Sequence, residues 1–239
     1  MLILAFDTTS EFGGAAVFHD QSCLAQAHQE GQPSYSVSLF KLVSAALEEA
    51  AVALREIDLF AAATGPGSFT GIRAGLAAAL GWSRAFEKPC LGVSIFEAMA
   101  EESAADTEWV LPLLDAHRGE FYAELLRRPE PRSAGPRTAL EPQGGGGWVL
   151  GPGPLSSMLE SRVPEGAMVT CITREKDTPA AALQAFLPPF CRWQTVSGFL
   201  VPAVARVAFR TIQQGGPQPA AALSAHYVRR TDAELKLKV

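Results

Sequence analysis

A glycine- and proline-rich turn at residues 64–67 (TGPG) joins a short apolar run to a segment with the features of a helix. The apolar run at residues 59–63 predicts a buried strand, since unbroken apolar runs of this length are typical of strands covered on both faces. The turn is predicted to be tight, because glycine reaches positive φ without steric cost and proline fixes its own φ. Ser68 is predicted to cap a helix that runs to about Phe86, because its hydroxyl can accept a hydrogen bond from an amide in the first turn.

Small residues recur four positions apart in this predicted helix, at Gly71, Gly75 and Ala79. An interior glycine costs a helix about 1 kcal/mol relative to alanine, so the spacing predicts a face that another backbone approaches closely. Arg73 and Arg84 interrupt the apolar run, and the helix is therefore not interpreted as a membrane-spanning dimer motif.

Three interpretations of this stretch stay open at the level of sequence. The turn could hold a phosphate on the amides of the helix N-terminus, although it lacks the Gly-Lys-Ser/Thr ending of a P-loop and the third glycine of the Rossmann pattern. It could be a rigid elbow that presents the helix to a partner. It could also be an ordinary strand-to-helix connection, in which the glycines serve only internal packing.

Residues 64–73 (TGPGSFTGIR), followed by residues 91–94 (LGVS), resemble the signature of the TsaB family, also called YeaZ. Further similarities follow in order along the chain at residues 1–9 (MLILAFDTT), at residues 114–122 (LDAHRGEFY) and at Tyr227-Val228-Arg229. This family is the non-catalytic partner in the bacterial modification of tRNA to threonylcarbamoyladenosine.

The resemblance implies an actin-like α/β fold, shared with sugar kinases, Hsp70 and ribonuclease H-like proteins and built of two related α/β halves. It places the N-terminal half at residues 1–105, completed by residues 200–225. The smaller half covers residues 106–199, and a tail follows at residues 226–239. Residues 201–213 have helical spacing and are expected to pack on the N-terminal half.

The resemblance also implies partners and a reaction. The chain is expected to bind and activate TsaD, the catalytic transferase, together with the ATPase TsaE. That complex modifies the adenosine beside the anticodon of tRNAs that read ANN codons. The chain is further expected to form a homodimer when alone, to meet tRNA only through the complex, to need no cofactor, and to be cytoplasmic with no membrane contact.

Two predicted helices are implied by the resemblance to form the partner surface, where two helices from each partner build a four-helix bundle. The first covers residues 35–53, with Pro33 before it and Ser34 or Ser36 as N-cap, and its broad apolar stripe is first of all core. The second begins after Ser68. The positions assigned to this surface are Tyr35, Leu39, Leu42, Val43, Phe69, Thr70, Gly71, Arg73, Ala74, Gly75 and Ala78.

Two aspartates stand where the actin-like superfamily has its phosphate loops. Asp7, with Thr8 and Thr9, lies between two strands of a predicted hairpin, and Asp115 opens the second half. Phosphate loops usually carry glycine close to the aspartate, but threonines follow Asp7, and His117 stands two residues after Asp115. These residues are candidates for an ATPase or kinase that holds Mg-ATP. For Asp7 the alternative is a buried structural carboxylate that accepts hydrogen bonds from turn amides.

Other catalytic and metal chemistry has little support in the sequence, and no catalytic residue is assigned. A peptidase would need a nucleophile and a base, and only Ser68 and His117 can be nominated, with nothing that brings the two together. The four histidines include no HxxxH pair, which is the metal-ligand spacing of the catalytic paralogue, so no metal site is predicted. The cysteines have no CxxC spacing and are predicted to be free thiols in a reducing compartment; they are Cys23, Cys90, Cys171 and Cys191.

Composition and charge exclude further classes of function. With 48% hydrophobic and 19% charged residues, the chain predicts a folded protein with a sizeable core. A net charge of -5 argues against a large nucleic-acid footprint, which needs a clustered basic surface. Asp7 interrupts the first apolar run, so no signal peptide is predicted, and no apolar run reaches the length of a membrane span.

The remaining predictions concern single elements. A helix at residues 95–104 is predicted to expose Glu97, Glu101 and Glu102. Residues 129–154 are rich in proline and glycine and are predicted to be a flexible connection. This connection ends in a turn at residues 151–154, before a short helix at residues 155–159.

Overall fold

The computed structural model forms two compact units. It describes residues 1–31, 35–103, 105–128, 140–144, 146–175, 183–215, 223–225 and 228. The first unit draws its described residues from Met1–Glu102 and Gly198–His226, and the second from Ser103–Ser197 and Tyr227–Val239. The predicted features at Pro33 and Ser34, at residues 129–139, at Tyr227 and Arg229, and in most of the tail lie outside the described residues.

Five strands form the sheet of the first unit. They are β1 (Leu2–Asp7), β2 (Phe12–His19), β3 (Ser22–Glu30), β4 (Leu59–Ala63) and β5 (Cys90–Val93). The sheet order is β3-β2-β1-β4-β5, with an antiparallel meander β1-β2-β3 and with β4 and β5 parallel to β1. All five residues of β4 are buried, which confirms the buried strand predicted from its apolar run.

Five α-helices lie within the described residues. They are α1 (Tyr35–Glu49), α2 (Phe69–Phe86), α3 (Ile95–Glu102), α4 (Pro152–Arg162) and α5 (Val201–Gln213). α4 belongs to the second unit, and the other four belong to the first.

The helices of the first unit cover both faces of its sheet. Leu4 and Phe6 of β1 share one apolar cluster with α1 and α2. Successive strand side chains alternate between faces, so Ile3 and Ala5 point to the opposite face. α5 packs against β1, β2, β4, β5 and α3, which confirms that this helix returns to the N-terminal half.

The ends of α2 lie where the sequence predicts them. The Oγ atom of Ser68 accepts a hydrogen bond from the amide of Gly71 at 3.2 Å, as expected of an N-cap. The helix ends at Phe86 because Glu87 adopts the left-handed conformation, with φ of 53°.

Seven strands form the sheet of the second unit. They are β6 (Trp109–Asp115), β7 (Phe121–Ala123), β8 (Leu126–Arg127), β9 (Glu141–Pro142), β10 (Trp148–Leu150), β11 (Val169–Arg174) and β12 (Cys191–Val196). The main order is β10-β7-β6-β11-β12, with β8 paired to β6 and β9 paired to β8.

The two sheets repeat one topology. In each, the first strand forms an antiparallel meander on one side and has two parallel strands on the other. The second unit is therefore a related copy of the first in strand order and direction.

The structure corrects the predicted boundaries of two helices. α1 ends at Glu49 and not at residue 53, because Ala51 adopts the left-handed conformation, with φ of 53°. α4 already begins at Pro152, inside the predicted turn at residues 151–154. Proline is favoured in the first turn of a helix, where its missing N–H would have no helical partner in any case.

Three strands were not predicted. β12 has the sequence CRWQTV, in which polar and apolar residues are mixed and most side chains are half-buried or exposed, so no buried run marks it. β8 and β9 contain two residues each and carry no sequence signal of their own.

The prediction that Glu101 is exposed is wrong, because this carboxylate is buried between two arginines of α5. Its side chain is 5% exposed, with Oε2 accepting from Arg210 at 2.7 Å and Oε1 lying 3.4 Å from Arg206. The neighbouring Glu102 is 32% exposed and pairs with Arg206 at 2.5 Å. Three ion pairs of different burial therefore hold α3 against α5.

Glu101→Gln is expected to lower the free energy of unfolding by about 2 kcal/mol, because it leaves two partly buried arginines without their shared carboxylate. The adjacent Glu102→Gln is the matched control and is expected to cost at most about 1 kcal/mol, since its pair is more exposed. Urea unfolding of both variants measures the difference. Equal losses from the two substitutions would contradict the assigned burial.

Candidate functional site

The N-terminus of α2 packs directly on the turn that follows β1. The Thr8 hydroxyl donates to the carbonyl of Gly71 at 2.7 Å, and the carbonyl of Thr9 accepts from the amide of Ser68 at 2.6 Å. A Cβ atom at Gly71 would overlap the Thr8 carbonyl oxygen. The close backbone approach predicted from the glycine spacing is therefore present, and the approaching backbone belongs to the chain itself.

The next glycine of α2 continues this contact. A Cβ atom at Gly75 would lie 2.5 Å from the Thr8 hydroxyl oxygen, and Ala79, one turn further, has no exposed surface. Gly71, Gly75 and Ala79 thus form the inner face of α2. Of the three interpretations of this stretch, the internal-packing role accounts for its glycines.

Asp7 is buried at the end of β1 and takes part in the same turn. Its carboxylate has no exposed surface, and Oδ1 accepts a hydrogen bond from the amide of Thr9 at 2.7 Å. Thr8 and Thr9 are equally buried. A metal ion or phosphate could reach this carboxylate only if the groups that bury it moved.

Asp115 occupies the equivalent position in the second unit, at the end of β6. Its Oδ1 atom accepts from the amide of His117 at 2.7 Å, which repeats the hydrogen bond between Asp7 and Thr9. His117, Arg118 and Gly119 all have positive φ, at 63°, 60° and 76°. The superfamily pattern places glycine at the position of His117, and the backbone there keeps a conformation that glycine adopts most easily.

Unlike Asp7, the Asp115 turn lies at the surface of its unit. The side chain of Asp115 is 40% exposed, and the imidazole of His117 lies with Nδ1 at 3.6 Å from Oδ2 of Asp115. Ser68, the other residue considered for nucleophilic chemistry, belongs to the first unit and caps α2 with its hydroxyl. The structure does not assemble a nucleophile and a base from these residues within either unit.

The outward side of α1 and α2 carries large apolar side chains at the surface. Val37 and Phe40 of α1 are 61% and 53% exposed, and the Phe40 ring meets Trp82 of α2 edge to face at a centroid distance of 5.9 Å. Phe69 is also exposed, with the Arg73 guanidinium 3.6 Å from its ring centroid. Ala77 and Gly81 are exposed on α2, one and two turns after Arg73. We call Val37, Phe40, Phe69, Arg73, Ala77 and Gly81 the outer surface.

The positions assigned to a partner surface from the sequence fall into three groups in the structure. Phe69, Thr70 and Arg73 are exposed, and Ala74 and Ala78 are half-buried. The remaining positions are buried within the first unit: Tyr35, Leu39, Leu42, Val43, Gly71 and Gly75. Tyr35 is an example of a residue that stabilises the unit from inside, because its hydroxyl donates to the carbonyl of Ser10 at 2.6 Å.

The sequence prediction omitted Val37, Phe40, Ala77 and Gly81. Val37 and Phe40 lie three residues apart, outside the main apolar stripe of α1, and such a second apolar pair was the available signal. Nothing in the sequence distinguished the outward Ala77 and Gly81 from the inward Gly71 and Gly75.

Two kinds of feature are absent from the described residues. No group of three or more His, Cys, Asp and Glu residues there is arranged to hold a metal ion. Within the same part of the chain, no helix is long and apolar enough to cross a membrane.

Sequence comparisons identify relatives for about half of the chain. Residues 29–128 match the family model described as TsaD: tRNA N6-adenosine threonylcarbamoyltransferase. The chain is 34% identical over 133 residues to the tRNA threonylcarbamoyladenosine biosynthesis protein TsaB of Escherichia coli, covering 54% of this chain and 57% of that protein. It is 32% identical over 129 residues to the protein of the same name in Bacillus subtilis, covering 53% and 56%. The chain thus spans about half the length of the curated relatives it matches.

Structure comparisons extend the likeness to the whole fold. YeaZ from Pseudomonas aeruginosa superposes with a TM-score of 0.72 at 22% identity, covering 95% of this chain and 99% of that one. A ROK family protein from Streptococcus pneumoniae, solved in complex with sucrose, gives a TM-score of 0.53 at 9% identity, covering 90% and 100%. At these identities the likeness concerns the fold alone, and the actin-like α/β fold predicted from the sequence is confirmed.

The two faces of α2 predict opposite effects for the same substitution. Gly71→Ala is expected to lower the free energy of unfolding by at least about 2 kcal/mol, because the new methyl group overlaps the Thr8 carbonyl. Gly81→Ala is expected to raise it by up to about 1 kcal/mol, because a Cβ atom there meets no other atom and alanine favours the helix. Urea unfolding midpoints of the two variants test this assignment. A stable Gly71→Ala protein would contradict the inward position of Gly71.

Proposed function

Because half of the chain is similar to TsaB proteins and its fold is similar to that of YeaZ, we propose that it belongs to the TsaB/YeaZ family and is the non-catalytic activating subunit of a complex that forms N6-threonylcarbamoyladenosine in tRNA. Its partners are a TsaD-type catalytic subunit and a TsaE-type ATPase. The complex modifies the adenosine next to the anticodon of tRNAs that read ANN codons. With a net charge of -5, the chain itself meets tRNA only through the complex.

The observation that carries this proposal is the apolar outer surface. Among the described residues, five large apolar side chains are exposed, and three of them lie on α1 and α2: Val37, Phe40 and Phe69. Clustered exposed apolar side chains mark interaction sites, since burying them against a partner removes them from water. Aromatic and arginine side chains, such as Phe40 and the stacked pair of Phe69 and Arg73, are also enriched among the residues that dominate binding energy.

The small residues of the outer surface favour a helical partner. Ala77 and Gly81 are exposed and four positions apart on α2, and the space above Gly81 is open. A helix of the partner can therefore approach the α2 backbone closely at this point. The same surface would hold a second copy of the chain when the catalytic subunit is absent, which accounts for the proposed homodimer.

The role proposed in the complex is conformational. Asp7 is buried and accepts a hydrogen bond within its own turn, which is consistent with a structural role for this first loop. Binding of α1 and α2 to the catalytic subunit would stabilise the conformation of that subunit that is competent for transfer. This is a population shift, and its extent is set by the difference in affinity for the two conformations.

Transfer of the threonylcarbamoyl group to tRNA by the cognate TsaD-type and TsaE-type proteins is expected to require this chain. With the threonylcarbamoyl adenylate supplied, Phe40→Asp is expected to lower the transfer rate at limiting chain concentration by at least about tenfold. The reason is that the substitution replaces an exposed aromatic ring of the outer surface with a charge. Transfer is measured as modified adenosine in hydrolysed tRNA, and complex formation by light scattering on the same samples.

Phe186→Asp is the matched control, because Phe186 is 58% exposed but belongs to the second unit. This variant is expected to bind and activate like the wild type. Unfolding midpoints of both variants separate lost binding from lost folding. Full transfer without the chain would refute the activating role, whereas an unaffected Phe40→Asp variant would refute the outer surface as the binding site.

A further inference from the structure

Cys171 and Cys191 lie on neighbouring parallel strands of the second unit. In the register of β11 and β12, Cys171 is opposite Trp193 and Cys191 is opposite Val169. Opposed residues in a sheet, and residues two apart in one strand, point to the same face. The two cysteines are therefore diagonal neighbours on one face, although 19 residues separate them in the sequence.

The surroundings of the two thiols differ. Cys171 has no exposed surface and lies in the apolar cluster of the second unit, whereas Cys191 lies at the border of that cluster and is half-buried. The register of β11 and β12 places the two thiols beside each other on the side of this apolar cluster. Cys191 is thus the thiol that a small molecule can reach, and Cys171 lies beside it in the buried cluster.

Their mutual interaction and their different burial make the two thiols chemically unequal. The interaction with Cys191, together with burial, raises the pKa of the Cys171 thiol well above its usual range. The same interaction lowers the pKa of Cys191, because it stabilises the thiolate. The thiolate is the nucleophilic form of cysteine, so Cys191 is the more reactive member of the pair.

We propose that Cys191 and Cys171 are a peroxide-sensitive thiol pair, in which Cys191 is attacked first and Cys171 resolves the product as an intramolecular disulfide. The cysteines predicted to be free thiols are indeed free in this structure, which corresponds to the reduced state of the pair. The co-substrate is a small hydroperoxide such as hydrogen peroxide.

The reaction balances in two steps. The Cys191 thiolate attacks one peroxide oxygen and the O–O bond breaks. The sulfur is oxidised by two electrons to a sulfenic acid, and the leaving hydroxide takes a proton to become water. The Cys171 sulfur then attacks the Cys191 sulfur, an S–S bond forms as the S–O bond breaks, and the hydroxyl leaves with the Cys171 proton as a second water.

The position of β12 allows the two sulfurs to close the remaining distance. Disulfides join Cα atoms about 4.4–6.8 Å apart, whereas diagonal neighbours in a sheet stand about 7–8 Å apart, so the backbone has to move for the bond to close. β12 is the last strand in the sheet order and is paired on one side only among the described strands. A slide of this edge strand along β11 would bring the two cysteines closer and would disturb only the ladder between β11 and β12.

The test treats the reduced full-length chain with hydrogen peroxide, blocks free thiols with an alkylating reagent and maps peptides by mass spectrometry. Cleavage at Arg162, Arg174 and Arg192 puts the two cysteines on different tryptic peptides. The expected product is one cross-linked pair of these peptides, two hydrogens lighter than their sum and separated again by dithiothreitol. Without peroxide, Cys191 is expected to be alkylated at least about threefold faster than the more exposed Cys23, whose pKa is raised by burial.

Two variants separate the roles of the pair. Cys171→Ala is expected to stop at a Cys191 sulfenic acid that dimedone traps, and Cys191→Ala is expected to leave Cys171 unoxidised. Cys23→Ala is the control and is expected to form the cross-link as the wild type does. Two results with the wild-type chain would overturn the proposal. One is oxidation of Cys23 before Cys191, and the other is sulfenic acid on Cys191 with no cross-link to Cys171.

Discussion

The packing of the glycine face of α2 on the turn after β1 determines which face of this helix is available to a partner. Thr8 and Thr9 bond to Gly71 and Ser68, and no side chain fits between the two backbones. This contact fixes α2 against the turn that follows the buried Asp7. Since the inner face of α2 is committed to the fold, only the outward face, with Phe69, is available to a partner.

The two units share one topology but differ in what surrounds the turn after their first strand. Each begins with a strand that ends in aspartate, and each aspartate accepts the amide of the residue two positions later at 2.7 Å. In the first unit, a helix with glycines on its inner face covers this turn. In the second unit, Asp115 stays exposed and is followed by three residues with positive φ. The repeated turn has thus kept its hydrogen bond while its surroundings diverged.

Features encoded by adjacent residues could be predicted from the sequence, whereas features made by distant residues could not. The apolar run of β4, the cap at Ser68 and the bounds of α2 each depend on a few consecutive residues. Glu101 was predicted to be exposed because its partner Arg210 lies 109 residues further along the chain. The glycine spacing predicted a close approach but did not identify the approaching group as Thr8. The exposure of Phe40 was not predicted for a related reason, because it depends on whether residues distant in the sequence cover the side chain.

Photo-crosslinking from the outer surface tests the central claim most directly. The photoreactive amino acid p-benzoylphenylalanine would replace Ala77 on the outer surface or Phe186 in the second unit, and each chain would be irradiated with the TsaD-type subunit. We predict a covalent product with the TsaD-type subunit from position 77 and none from position 186. A product from position 186 with none from position 77 would contradict the account, because the partner would then bind away from the outward face of α1 and α2.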